Sequence, residues 1–130
     1  LPGEPRSPFT YAVVRVVPSV ERGECINAGV LLFCKAHGFL AARVALDESR
    51  LAALAPGADA AAIRAHLDAL ARIAAGDPAA GPMAALPLGE RFGWLAAPAS
   101  TVVQPGPVHT GLCDDPARTL AALFAELVAV

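Results

Sequence analysis

Residues 15–33 leave this chain few ways to fold. They read RVVPSVERGECINAGVLLF. An apolar run carrying one arginine is stopped at Pro18, which has no N–H to give to a strand ladder. A charged turn follows, Glu21-Arg22-Gly23-Glu24, with a glycine that can take a positive φ at its tip. Asn27 and Gly29 then lead into a second apolar run. Two strands joined by so short a loop can pair only antiparallel, because a parallel pair needs a crossover of a dozen or more residues.

The pattern extends in both directions. Residues 9–17 alternate as a strand, with Tyr11, Val13, Arg15 and Val17 on one face and Ala12, Val14 and Val16 on the other. The second strand begins at Ile26 or Ala28 and runs to Cys34. It is apolar on both faces, as a central strand is. A four-residue turn, residues 35–38, leads to a third strand over residues 39–46, which completes a meander.

Helices follow. Residues 47–54 form a short one, with Asp47 as N-cap. Residues 59–75 carry the clearest amphipathic stripe, Ile63, Leu67 and Leu70 followed by Ile73 or Ala74. Arg64, Asp68 and Arg72 lie at i, i+4 spacing on another face. Gly76 and Pro78 end that helix. Residues 77–89 lack periodicity and read as a surface loop with room for one helical turn. Residues 92–95 are a short apolar island.

Residues 101–104 have the composition of a short edge strand, and Pro105-Gly106-Pro107 is expected to prevent its extension. Residues 105–115 then run as an ordered loop over the sheet. Asp114-Asp115-Pro116 starts a last helix, with Leu120, Leu123, Phe124, Leu127 and Val128 as its apolar face. The expected fold is α+β: an antiparallel three- to four-stranded sheet with helices packed on one face. It forms one domain over residues 1–130, of which residues 1–8 are an irregular lead-in.

Composition narrows the function classes. The formal net charge is −2 with no basic block, which disfavours nucleic-acid binding. No apolar stretch reaches the length of a membrane span, and no secretory leader is visible. The three cysteines, Cys25, Cys34 and Cys113, have no disulfide-framework spacing and cannot all pair with one another. A cytoplasmic location is expected.

Candidate site residues form two groups. Arg15, Glu21, Arg22, Glu24 and Asn27 place planar cationic forks beside polar partners, suited to a carboxylate or phosphate. The plainer alternative is a turn whose charges pair with one another. Gln104, His109, Thr110, Asp114 and Asp115 form the second group. His109 is the weak candidate for an acid or base, because its ordinary pKa lies near neutrality. The two aspartates read as helix caps. Arg91 joins the candidates as a third cation, and the lone Trp94 is expected as a core anchor. Cys34-Lys35-Ala36-His37 is a Cys-x-x-His pair without a second pair, so no metal site is expected, and nothing calls for a cofactor.

Two stretches carry a resemblance. YAVVRVVPSVERGECINAGVLLF, from Tyr11, and RFGWLAAPASTVVQPGPVHTGLCDDP, from Arg91, together resemble the bacterial domain-of-unknown-function family 3037. The resemblance implies a protein partner more than a reaction, namely a HipA-like kinase encoded beside such proteins. The leading expectation is a small accessory protein that binds a protein partner through the 19–27 loop and the 91–110 segment. The competing one is an enzyme, or an enzyme subunit, acting on a nucleotide or another anionic small molecule.

Overall fold

A computed structural model describes residues 6–129. Three strands, β1 (Ser7–Val16), β2 (Ile26–Cys34) and β3 (Phe39–Val44), form the expected meander. β1 starts at Ser7, inside the stretch expected to be irregular. Residues 1–5 of that lead-in lie outside the described residues.

A fourth strand, β4 (Val103–Cys113), pairs antiparallel with the free side of β1. The sheet order is β3-β2-β1-β4. Here the sequence expectation fails, because β4 runs straight through Pro105-Gly106-Pro107. Two features permit this. β4 is an edge strand, so an outward-facing residue needs no N–H for a ladder. The register also shifts: Ala12 faces Val108 and Val14 faces Pro105, so Gly106 and Pro107 together oppose Val13 in a bulge.

The β1–β2 pair has its own bulge. Val14 faces Gly29 and Arg15 faces Asn27, which leaves Ala28 as the extra residue. Gly29 is buried where strands approach closely. A Cβ there would lie 2.9 Å from the Arg43 carbonyl oxygen and 2.9 Å from Val44 Cγ1. The glycine of the Asn-x-Gly stretch is therefore a packing requirement.

Four helices complete the fold among the described residues. Asp47 caps α1 (Glu48–Leu54) and Asp59 caps α2 (Ala60–Ala75), each accepting a backbone N–H at 3.0 Å. Gly76, at φ +78°, ends α2 in the left-handed region. Two short 3₁₀ turns, Pro78–Ala80 and Pro82–Ala85, precede α3 (Leu88–Leu95). The apolar island is thus the second half of a helix. α4 (Pro116–Leu127) begins as expected, with Asp115 accepting from the Arg118 N–H and Pro116 in the first turn.

Side-chain alternation divides the core in two. On one face Val14, Val16, Leu31 and Leu40 meet Leu51 of α1, Ile63, Leu67, Leu70 and Ala74 of α2, and Phe92 and Leu95 of α3. On the other, Phe9, Val30, Leu32 and Cys34 meet Leu120, Phe124 and Leu127 of α4. The helices therefore cover both faces, which corrects the expectation of one. β2 is the reason: its apolar residues on both faces need two covers. Among the described residues no helix is long and apolar enough to cross a membrane.

Candidate functional site

The sequence candidates part company once folded. Arg91 goes inside. It is 9% exposed, and its guanidinium donates to two carbonyl oxygens. Nε and Nη2 reach Leu86 at 3.2 and 2.8 Å, and Nη1 reaches Ala74 at 3.1 Å. Ala74 lies in the last turn of α2, where carbonyls lack helical partners. Arg91 thus ties α3 to the end of α2, and its donors are engaged within the fold. Gly76 makes room for it, since a Cβ there would lie 3.3 Å from Nη1.

Arg15 has the opposite fate. It is half-buried on β1, on the face that carries α4. Asn27 faces it from β2 and Gln104 from β4, so the three form one row across the sheet. Its guanidinium lies beside Gly106. Among the described residues no hydrogen bond or ion pair engages it. Asn27 Nδ2 donates to the Leu127 carbonyl at 3.1 Å, which satisfies an end carbonyl of α4. Gln104 Nε2 donates to the Thr101 carbonyl at 2.7 Å.

His109 shares that face but not that row. It stands opposite Tyr11, four residues along β1 from Arg15, with the rings tilted and 5.2 Å apart. At about 3.3 Å per residue that is a separation of ~13 Å along the strand. A general acid works within hydrogen-bond reach, so Arg15 and His109 do not frame one small reacting group. Thr110 is exposed and opposite Thr10.

The charged turn is exposed throughout. Arg22 Nε lies 2.6 Å from Glu24 Oε1, and Glu21 is exposed beside them. The Arg22 and Gly23 N–H groups both donate to the Ser19 carbonyl, at 3.2 and 3.1 Å. Such a pair in water holds the turn's shape but contributes little energy.

Two of the cysteines are buried and one is not. Cys25 is exposed in the turn, while Cys34 and Cys113 lie in the α4-side core. Cys34 Sγ is 3.3 Å from His37 Nδ1. Burial, reinforced by the neighbouring Cys34, pushes the Cys113 thiol above its ordinary pKa. Among the described residues no group of three or more His, Cys, Asp or Glu is placed to hold a metal ion.

Two candidates border clefts of their own, Asn27 one of about 310 Å³ beside Phe124 and Thr110 one of about 350 Å³ beside Phe92. A further concave surface lies between α2, α3 and the start of β4. Two clefts of about 260 and 340 Å³ adjoin there and share His66 and Val103. Pro18, where the charged turn begins, borders the first. Trp94 borders the second and is 62% exposed. This corrects the expectation of a core tryptophan. On α3, Leu88, Phe92 and Leu95 make the inward stripe, and Trp94, two positions past Phe92, points away from it. The helix could have been found from that 88-92-95 spacing, and the exposure of Trp94 with it. His66, on the outer side of α2, carried no sequence signal.

A family model described as a protein of unknown function (DUF3037) matches residues 11–128. No curated protein and no solved structure matches the chain.

Proposed function

The chain belongs to the DUF3037 family, and we propose that it is an accessory protein that binds a protein partner in the trough between α2, α3 and β4. The observation that carries this is the pairing of an apolar concavity with an exposed tryptophan at its rim. A large aromatic left in water beside a shaped apolar surface is the usual anchor of a protein interface. Val102, 38% exposed, extends the apolar surface towards Pro18. The Glu21 to Glu24 turn then supplies a charged rim, which orients a partner more than it binds one. The family resemblance makes a HipA-like kinase the first partner to try.

The test is capture of that kinase by the purified chain. The wild type should retain it, and Trp94→Ala should weaken binding at least about tenfold. The unfolding midpoint should not move, because the side chain is exposed. Equal binding by wild type and Trp94→Ala would remove the trough from the interface.

A second reading has Arg15 in its favour: an enzyme or enzyme subunit that takes a nucleotide or another anion. A guanidinium without a partner among the described residues, flanked by two side-chain amides, suits a phosphate. Titration with inorganic phosphate and with ATP should then shift resonances at Arg15 and Gln104. Arg15→Gln should abolish the shift, and an unchanged spectrum in the wild type would end this reading.

A further inference from the structure

β4 is an edge strand protected along only half its length. The direction of each backbone group on β4 follows from β1. The Pro8 carbonyl accepts the Cys34 thiol at 3.6 Å, so even-numbered residues of β1 direct their backbone groups towards β2. The Val17 N–H donates to the Val102 carbonyl at 2.6 Å, so odd-numbered residues direct theirs towards β4. Tyr11 faces His109 and Phe9 faces Gly111. His109 and Gly111 therefore bond inward, and Val108, Thr110 and Leu112 present N–H and C=O outward.

The first half of that edge is blocked. Pro105 faces outward without an N–H, and Pro107 sits in the bulge. Among the described residues the second half has none of the usual protections. No charged residue occurs in Val103–Cys113, and the outward positions have no strand partner among the described residues. Val108 and Leu112, 46% and 61% exposed, leave two apolar side chains in water beside the open edge.

We infer that this edge pairs with the same edge of a second copy, antiparallel about a two-fold axis at Thr110. The pattern is self-complementary. Such a register sets Val108 against the partner's Leu112, Leu112 against the partner's Val108, and Thr110 against its own counterpart. The three outward residues then form three hydrogen-bonded pairs, with apolar contacts flanking a Thr–Thr pair. On the opposite face, His109 meets the partner's Gly111, over which the Phe9 ring lies, and no like charges meet. The two sheets become one of eight strands. A heterologous strand could use the same open edge, but the symmetry of apolar residues about Thr110 serves only a copy of this chain. An interface limited to a strand edge lies at the small end of the range, so the dimer is weak. It does not depend on the trough.

Sedimentation between about 10 µM and 1 mM, a range set by so small an interface, should show a rising mass. The limits are the 13.2 kDa chain and twice that value. Thr110→Lys places like charges directly opposite each other and should return the protein to monomer across that range. The exposed site keeps the fold intact, which circular dichroism checks. Mixing Thr110→Lys with Thr110→Glu should restore a dimer, because only this register sets residue 110 against itself. A wild type that stays monomeric at the highest concentration overturns the inference. So does a dimer that survives Thr110→Lys, or a mixture that fails to associate.

Discussion

One face of the sheet carries three helices and the other carries one, and their arginines differ accordingly. On the α1–α3 face, Arg91 is enclosed and gives its donors to the Leu86 and Ala74 carbonyls. On the α4 face, the helix packs chiefly on β2 and β3. The β1–β4 half is left with Tyr11, Arg15 and Gln104 half-buried and His109 exposed. Arg43 of β3, exposed at the rim of α4, lies over the Phe124 ring at 5.0 Å. One residue type thus serves as an internal tie, a stacking partner or an open cation, according to what lies above it. The buried arginine is scaffold, and the half-open face leaves Arg15 without a hydrogen bond or ion pair among the described residues.

The difference is easiest to break at Arg91. Arg91→Met keeps the apolar stem and removes every donor, leaving two carbonyl oxygens without their partner. It should cost about 3 kcal/mol in urea unfolding, against less than about 1 kcal/mol for Arg15→Met. Equal losses would mean that Arg15 is also an internal tie.

The α4 face has its own tie, a neutral one. Asn27→Ala removes the bond to the Leu127 carbonyl and should cost about 1 kcal/mol. Hydrogen exchange should rise first in the last turn of α4. Faster exchange in α2 instead would contradict the separation of the two faces.

A smaller effect is confined to alkaline pH. The Cys113 thiol holds its proton to higher pH in the folded chain than in the unfolded one. Its contribution is therefore complete below the unfolded thiol's pKa of about 8.5 and is lost as pH rises through the folded value. Stability should decline above that point, and Cys113→Ala should flatten the decline. A matching decline in the variant would place its origin on other groups.

The smallest effect belongs to the charged turn. Arg22→Ala breaks the exposed pair with Glu24 and should change stability by less than about 0.5 kcal/mol. A larger loss would show that the turn is part of the scaffold.

Much of this architecture is legible in the sequence. The Asp59 cap, the 63-67-70 stripe and the Gly76 stop define α2, and Asp115-Pro116 defines the start of α4. All of these are contacts within a few residues. The meander follows from short loops, whereas the expectation of helices on one face left the second apolar side of β2 without a cover. α3 was hidden because Gly89 and Gly93 depress helix propensity, while its stripe packs against strands far away in the chain.

The caps, stops, strand alternation and charged turn of residues 15–33 follow from neighbours along the chain and can be read there. The enclosure of Arg91, the half-open setting of Arg15, the docking of α4 on the opposite face and the passage of β4 through Pro105-Gly106-Pro107 emerge on folding. Each depends on position in the sheet. An edge leaves outward N–H groups unneeded, so a proline that would end a central strand is tolerated there. Burial likewise depends on which helix lies above a residue, which its own neighbours along the chain do not specify.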